Sequence, residues 1–191
     1  MIMKRFPTFL KTTTLLFFIG LTSLSFGQTT LQLVAKPKLV ISGTSSLHDW
    51  DMVSETATGK IQATLDGNNI TAISSLIVEM PAESIKSGKG GMDKNAYKAL
   101  KTSQFKSAKF NLKSATQNSD GTWNFSGTFT FAGVSKAVTL KIKESTSNGQ
   151  TVLEGTYPFK LTDYKIDPPT ALMGTVKTGD DVKISFVLKF K

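Results

Sequence analysis

The sequence lacks cysteine altogether and has a single histidine, His48, among its 191 residues. Without cysteine there is no disulfide, thiolate metal site or cysteine nucleophile, so stability has to come from core packing. One histidine excludes a metal site made of several imidazoles, and a Ser-His-Asp triad would have to use His48. Its neighbour Asp49 would point to the other side of an extended strand, and there is no Gly-x-Ser-x-Gly segment. These absences predict a protein that is not an enzyme and needs neither metal nor cofactor.

Long apolar runs are also scarce, and the main one lies near the start of the chain. Residues 12–26 are uncharged and largely apolar, they follow Lys4, Arg5 and Lys11, and the segment 25–27 at their end offers small residues for cleavage. This arrangement is typical of a secretory signal peptide cleaved before Gln28. The run is short for a membrane span, so a retained anchor is the weaker alternative. We expect residues 1–27 to be a signal peptide and 28–191 to form one domain, located in the periplasm or secreted.

Acidic residues are few: 14 Asp and Glu stand against 23 Lys and Arg, for a formal net charge of +9. Three of these charges belong to Lys4, Arg5 and Lys11, which leaves +6 for the rest. The lysines are spread along the chain without a cluster, so nucleic acid is not an expected partner. They are typical of the solvated outer side of strands, and attraction to an anionic membrane surface is the alternative. The sequence leaves the oligomeric state open, with a homodimer as one option.

Alternation with a period of two residues is what the sequence has in abundance. Between residues 122 and 131, every odd position is aromatic or glycine and every even position is polar. Successive strand side chains point to opposite faces, so this segment is one strand with a dry side and a wet side. Turn signals such as Asp66-Gly67 and Asp120-Gly121 separate similar runs. Together they predict an all-β fold, an extended antiparallel barrel of about eight strands.

Two further segments interrupt the strands. A short helix is expected from Asp93 to about Lys101, with Asp93 as its N-cap after two glycines. An irregular link of about twenty residues, which begins at Thr162 and contains Pro168 and Pro169, is longer than most loops in compact domains. The helix is expected to plug one barrel end or to act as a lid. The link either folds back over that end or forms a rim for a ligand or partner.

Four segments, taken in order, resemble the YceI family of exported, lipocalin-like proteins. They are Ser-Ser-Leu-His-Asp-Trp at 45–50, typical of short members, and the stretches 80–100, 127–136 and 162–182. The resemblance implies a lipocalin-like barrel whose elongated apolar interior binds a polyisoprenoid or another long amphiphilic lipid, without catalysis. Storage or transport of that lipid in the periplasm would be the function. The alternative is a non-enzymatic interaction or stress-response protein whose barrel is filled by its own side chains.

The family supplies no binding motif that could be transferred residue by residue, so site candidates come from alternation alone. The lipid-lining candidates are the residues expected to face inward: Leu39, Ile41, Ile61, Ala63, Leu65, Phe110, Leu112, Trp123, Phe125, Phe129, Phe131, Val138, Leu140, Ile142, Tyr157, Phe159, Ile184, Phe186 and Leu188. The rim candidates are polar or aromatic residues of the connecting segments: His48, Trp50, Tyr97, Tyr164 and Lys165.

Overall fold

The computed structural model describes residues 27–34, 36–67 and 69–191, which fold into a curled antiparallel sheet with one α-helix. The strands are β1 (Gln28–Gln32), β2 (Lys38–Ser45), β3 (Trp50–Ser54), β4 (Thr58–Asp66), β5 (Asn69–Pro81), β6 (Ser107–Gln117), β7 (Trp123–Phe131), β8 (Val134–Ser147), β9 (Gln150–Lys160), β10 (Thr170–Ala171) and β11 (Val176–Phe190); the helix is α1 (Gly90–Ala99). The signal peptide expected over residues 1–27 lies almost entirely outside the described residues.

The sheet is a meander joined to three strands from the start of the chain, β1 on one side and β2 and β3 on the other. Its order is β1-β4-β5-β6-β7-β8-β9-β11-β2-β3, and β10 pairs with β11. At one end, the last residue of β1 and the residues after it reach across to the end of β11: Gln32 and Lys191 exchange backbone hydrogen bonds of 2.8 and 2.9 Å, and Val34 donates to the Lys189 carbonyl at 2.7 Å. Leu33 also donates to the carbonyl of Gly59 in β4. These bonds close the hydrogen-bonded wall into a barrel at that end.

The all-β antiparallel architecture is confirmed, but the prediction of about eight strands is too low. The described residues form eleven strands. The first predicted strand is two separate strands, β1 and β2, because the chain turns at Lys36, whose φ is +60°, and at Pro37. The short strands β3 and β10 carry too few alternating residues to be recognised. A strand of two or five residues is held by its partners rather than by its own pattern.

The helix begins earlier than expected. It runs from Gly90 to Ala99 with Lys89 in the N-cap position, so the assignment of Asp93 as N-cap is wrong. Asp93 lies in the first turn, where Oδ1 accepts hydrogen bonds from the backbone N–H of Ser87 at 2.8 Å and from its hydroxyl at 2.7 Å. Gly90 and Gly91 have low helix propensity, but they are tolerated in the first turn because it has few intrahelical hydrogen bonds to lose.

The interior is divided into two clusters of buried apolar side chains. The first lies at the end where α1 packs, and we call this end of the barrel the capped end; it includes Met80, Phe131, Phe159 and Tyr164. The second lies towards the opposite end, the far end, and includes Ile61, Trp123 and Phe190. Among the described residues, no helix has the length and apolar character needed to cross a membrane.

Candidate functional site

An apolar cavity of about 80 Å³ lies inside the barrel between the two clusters. Its wall comes from strands β2, β5, β6, β7, β8, β9 and β11, so inward-facing residues from most of the sheet converge on it. The lining residues are Leu39, Ile41, Leu76, Val78, Met80, Ala108, Lys109, Phe110, Phe125, Phe129, Leu140, Ile142, Leu153, Tyr157, Ile184, Phe186 and Leu188. The only charged residue in this set is Lys109, whose Nζ pairs with Glu79 at 2.8 Å.

Two glycines on the inner face shape the cavity wall. At Gly155, a Cβ atom would lie 2.7 Å from the ring of Phe186 and 2.9 Å from Ile142 Cδ1. At Gly127, it would lie 2.7 Å from the ring of Phe110 and 2.4 Å from the Asn111 carbonyl oxygen. Each glycine therefore lets a phenylalanine ring lie against the backbone of the neighbouring strand, a pairing that sheets use to seat aromatic rings. Space near the barrel axis is left open as a result.

A set of packed aromatic rings borders the cavity on the capped side. The ring of Phe129 lies 5.8 Å from Phe131, 5.7 Å from Tyr157 and 5.6 Å from Tyr164, measured between centroids. The hydroxyls of Tyr157 and Tyr164 are 3.0 Å apart. Tyr164 is fully buried, and this burial, together with the hydrogen bond to Tyr157, raises its pKa far above the ordinary value. These rings separate the cavity from the solvent at the capped end.

The long link after β9 supplies Tyr164 and covers the capped end. It starts as a 3-10 turn, Leu161–Tyr164, and the turn places Leu161 and Tyr164 in the first cluster together with the nearby Ile166. Lys136 holds the turn from outside, with Nζ 3.1 Å from Asp163 Oδ1 and 5.8 Å above the Tyr164 ring. The link therefore folds back over the barrel end, which was one of the two expectations for it.

The structure brings eleven of the nineteen lining candidates to the cavity: Leu39, Ile41, Phe110, Phe125, Phe129, Leu140, Ile142, Tyr157, Ile184, Phe186 and Leu188. The remaining eight are buried or half-buried elsewhere in the core. Ile61, Ala63, Leu65, Leu112, Trp123 and Val138 belong to or pack on the second cluster, whereas Phe131 and Phe159 belong to the first.

Six lining residues were missed by the sequence reasoning. Leu76, Val78 and Met80 alternate along β5, and Leu153 alternates with Tyr157 along β9, so the same pattern could have identified them. Ala108 is small and stands beside Lys109, and nothing in the sequence around these two residues indicates that they face a cavity.

The rim candidates do not form one site. His48 is exposed in the β2–β3 turn, where its Nδ1 lies 2.7 Å from the Asp49 carbonyl oxygen. Trp50 packs on Gly43 and donates from Nε1 to the Thr44 carbonyl at 2.9 Å. Tyr97 ties α1 to the segment after β5 through a hydrogen bond to Ile85, and Lys165 is exposed. Tyr164 lies in the core and not at an exposed rim, so that part of the prediction is wrong.

The site is an apolar cavity whose polar neighbours are already hydrogen-bonded. Within the described residues, every buried side-chain nitrogen or oxygen has a hydrogen-bond partner, so the cavity offers no unpaired polar group to a ligand. In the same part of the chain, no three His, Asp or Glu side chains are grouped to hold a metal ion. The arrangement can lower the free energy of an apolar molecule by removing it from water.

Comparison with known proteins agrees with the fold. The family model described as "YceI-like domain" matches residues 37–190. The chain belongs to the YceI-like family. No curated protein matches it. The narrower assignment to short YceI-like members with the Ser-Ser-Leu-His-Asp-Trp segment stays a prediction.

Solved structures of low sequence identity share this YceI-like fold. BcnA of Burkholderia cenocepacia aligns with a TM-score of 0.64 at 15% identity, over 79% of this chain and 95% of its own. A polyisoprenoid-binding domain from Saccharophagus degradans, implicated in plant cell wall breakdown, aligns with a TM-score of 0.64 at 11% identity. The alignment covers 84% of this chain and 97% of that domain. A YceI protein of Campylobacter jejuni aligns with a TM-score of 0.57 at 16% identity, over 94% of this chain and 97% of its own.

Proposed function

We propose that this protein binds a long-chain amphiphilic lipid, a polyisoprenoid or a similar molecule, inside the barrel and stores or carries it in the periplasm. The apolar cavity between the two core clusters carries this proposal. A structural neighbour described as a polyisoprenoid-binding domain supports the choice of ligand class. The lipid tail would replace water against the aromatic and aliphatic wall, at about 0.8 kcal/mol for each methylene removed from water.

Uptake of a long chain requires movement of interior side chains. The cavity of about 80 Å³ is well below the range of about 300–1,000 Å³ that is common for ligand sites. Phe110, Phe129 and Phe186 line it and are only half-buried, so rotation of these rings would widen it. We therefore propose that the lipid enters by displacing aromatic side chains instead of filling a space that is already wide.

The small volume favours one competing function. A barrel closed by its own side chains would act through its outer surface, as a non-enzymatic interaction or stress-response protein. Native mass spectrometry of the protein purified from its own host separates the two proposals. A bound lipid of stoichiometric amount supports the first. Repeated absence of lipid, with no uptake of an added long-chain isoprenoid alcohol, would rule it out.

A pair of alanine substitutions gives a sharper test of the cavity. Ala108 faces it, whereas Ala137 is exposed on the outer side of β8. Ala108→Leu should fill the space and reduce uptake of the isoprenoid alcohol at least about tenfold without loss of stability, because the added methyl groups bury apolar surface in open room. Ala137→Leu is the matched control and should leave uptake unchanged.

The outcome that contradicts a usable cavity is equally clear. If the interior has no room, Ala108→Leu should overpack the core and lower the free energy of unfolding by about 1–3 kcal/mol. Urea unfolding of both variants measures this quantity.

Export is a separate part of the proposal. An intact mass that corresponds to a chain beginning at Gln28, measured on protein from the periplasmic fraction, would support it.

A further inference from the structure

Three large apolar side chains project into solvent at the capped end. Leu47 is 66% exposed, Leu172 is 72% exposed and Met173 is 107% exposed. Within the described residues, these are the exposed large hydrophobic side chains. Single exposed apolar residues are common on protein surfaces, whereas a group on one protruding surface marks an interaction site. We call Leu47, Leu172 and Met173 the apolar tip.

Hydrogen bonds hold the turn that carries Leu47 against the start of β11, shortly after the segment that carries Leu172 and Met173. Leu47 lies in the β2–β3 turn, and Leu172 and Met173 lie in the link before β11. Next to Leu47, Ser46 donates its backbone N–H to the Lys177 carbonyl at 2.9 Å, and its hydroxyl accepts from the Lys177 N–H at 3.0 Å. The two loops are therefore held side by side at the same end of the barrel.

The backbone of the tip adopts a conformation that costs free energy. Leu172 has a φ of +49° and Met173 a φ of +56°, which places two consecutive L-residues with large side chains in the left-handed region. Asparagine or glycine would adopt this conformation at lower cost. The turn thus carries two apolar side chains at positions where polar residues would be both better hydrated and less strained. Packing within the protein does not explain them, since both side chains point into solvent.

Positive charge lies beside the apolar tip. A surface groove of about 350 Å³ runs between the end of α1 and the residues before β10, and its charged residues are Lys98, Lys101, Lys165 and Asp167. Thr170 also lines the groove and stands two residues before Leu172. Lys177 adds a further exposed lysine between the groove and Leu47. Three lysines against one aspartate give the groove a net positive charge.

We propose that the capped end docks on an anionic phospholipid membrane, with the apolar tip inserted at the interface and the lysine groove against the headgroups. Exposed apolar side chains suit insertion among lipid headgroups, and the lysines beside them match the negative charge of those headgroups. Basic groups around exposed apolar side chains combine the two attractions that anchor peripheral proteins. The inference goes beyond the proposed function and does not depend on it, because docking needs no ligand in the cavity.

Vesicle binding tests the proposal. The protein is purified as it accumulates in its own host and mixed with vesicles of phosphatidylcholine, with or without phosphatidylglycerol. Brominated phospholipids then report which end inserts, because Trp50 lies at the capped end and Trp123 is 2% exposed in the second cluster. We expect binding that requires the anionic lipid, weakens with salt and quenches Trp50.

Two sets of variants locate the contact. Leu47→Ser combined with Leu172→Asn and Met173→Asn should lower vesicle affinity about tenfold or more and should keep or raise the melting temperature, because asparagine suits the left-handed backbone. Replacing Lys98, Lys101 and Lys165 by glutamine should reduce affinity about fivefold for each lysine. The matched control replaces Lys113, Lys143 and Lys189, which are exposed nearer the far end, and should change affinity much less.

Several results would overturn the proposal. They are absence of binding to anionic vesicles, equal affinity of the tip variant and the parent, or equal loss in the control lysine variant. Capture of a partner protein by the parent but not by the tip variant, without vesicle binding, would also overturn it and would assign the tip to a protein partner. Lipid in the cavity is measured separately by native mass spectrometry, so failure of docking and failure of lipid binding are distinguishable.

Discussion

Tyr164 brings an ionisable hydroxyl into the fully buried part of the capped end. Its hydroxyl lies 3.0 Å from that of Tyr157, and its ring packs against Phe129 and Phe159. A charged phenolate would be poorly solvated there, so burial raises the pKa of Tyr164 above the ordinary value of about 10. Its position therefore ties the stability of the cap to pH.

We expect the stability that Tyr164 contributes to be lost in alkali. The unfolded chain releases the Tyr164 proton near pH 10, whereas the folded protein retains it, so rising pH favours the unfolded state above that value. At pH 7, Tyr164→Phe should cost about 1 kcal/mol through the lost hydrogen bond. The difference between parent and variant should shrink above pH 10 and then reverse. Urea unfolding from pH 8 to 11 measures it, and a difference that is constant with pH would contradict the assignment.

Asp93, at the start of α1, should have the opposite pH dependence: the stability that it contributes should be lost in acid. The hydroxyl and the backbone N–H of Ser87, in this order of effect, lower the pKa of Asp93. Because the folded-state pKa is depressed, the stability is present above the unfolded-state pKa of about 4 and is lost as pH falls through the folded value. Asp93→Asn should cost about 1–2 kcal/mol at pH 7, and this cost should shrink as the pH falls below about 4. Acid unfolding followed by circular dichroism would show it; Asp49→Asn, an exposed carboxylate in the β2–β3 turn, is the control.

At the scale of strands, the two inner-face glycines predict different outcomes for the same substitution. At Gly155, a new methyl group would meet the ends of the flexible Phe186 and Ile142 side chains. We expect Gly155→Ala to be folded and to push the Phe186 ring into the cavity, so that isoprenoid uptake falls. At Gly127, the methyl group would meet the Asn111 carbonyl oxygen at 2.4 Å, and the backbone has to move.

Gly155→Ala should therefore mainly reduce isoprenoid uptake, whereas Gly127→Ala should mainly reduce the stability of the fold. Gly127→Ala should lower the free energy of unfolding by about 2 kcal/mol or more, whereas Gly155→Ala should cost about 1 kcal/mol. Urea unfolding and native mass spectrometry of both variants measure the two effects. Equal stability of the two variants would show that the strand spacing at Gly127 adapts easily.

Alternation shows which side of a strand faces inward, and this explains how much of the site the sequence predicts. Alternation places Ile61, Trp123 and Ile184 on the inward faces of β4, β7 and β11, yet Ile61 and Trp123 lie in the second cluster and Ile184 lines the cavity. The position of a residue along the barrel axis decides whether it lines the cavity or lies in a core cluster. That position depends on strand stagger and on bulges, such as the one between Leu112 and Ser114, which leave no signal in the alternation.

Closure of the barrel wall depends on the few bonds that join the end of β1 and the residues after it to the end of β11. Val34→Pro removes the N–H that donates to the Lys189 carbonyl, whereas Val34→Thr keeps it with a side chain of similar shape. We expect the proline variant to exchange the amide hydrogens of β11 near Leu188 at least about tenfold faster, while β7 and β8 keep their protection. Hydrogen exchange followed by mass spectrometry checks this. Uniformly faster exchange would indicate global destabilisation in place of local opening.

The strand order has a further consequence for when a guest molecule could enter. Strands β4 to β8 each pair with the next strand along the chain, whereas pairing of β11 with β2 joins distant parts of the sequence. Contacts between distant segments form late in folding, so we expect the meander to appear first as a trough with its apolar side uncovered. A lipid present at that moment would meet an open surface and then be enclosed as the wall closes. Folding would thus give the lipid a second route of entry, beside displacement of the aromatic side chains in the folded barrel.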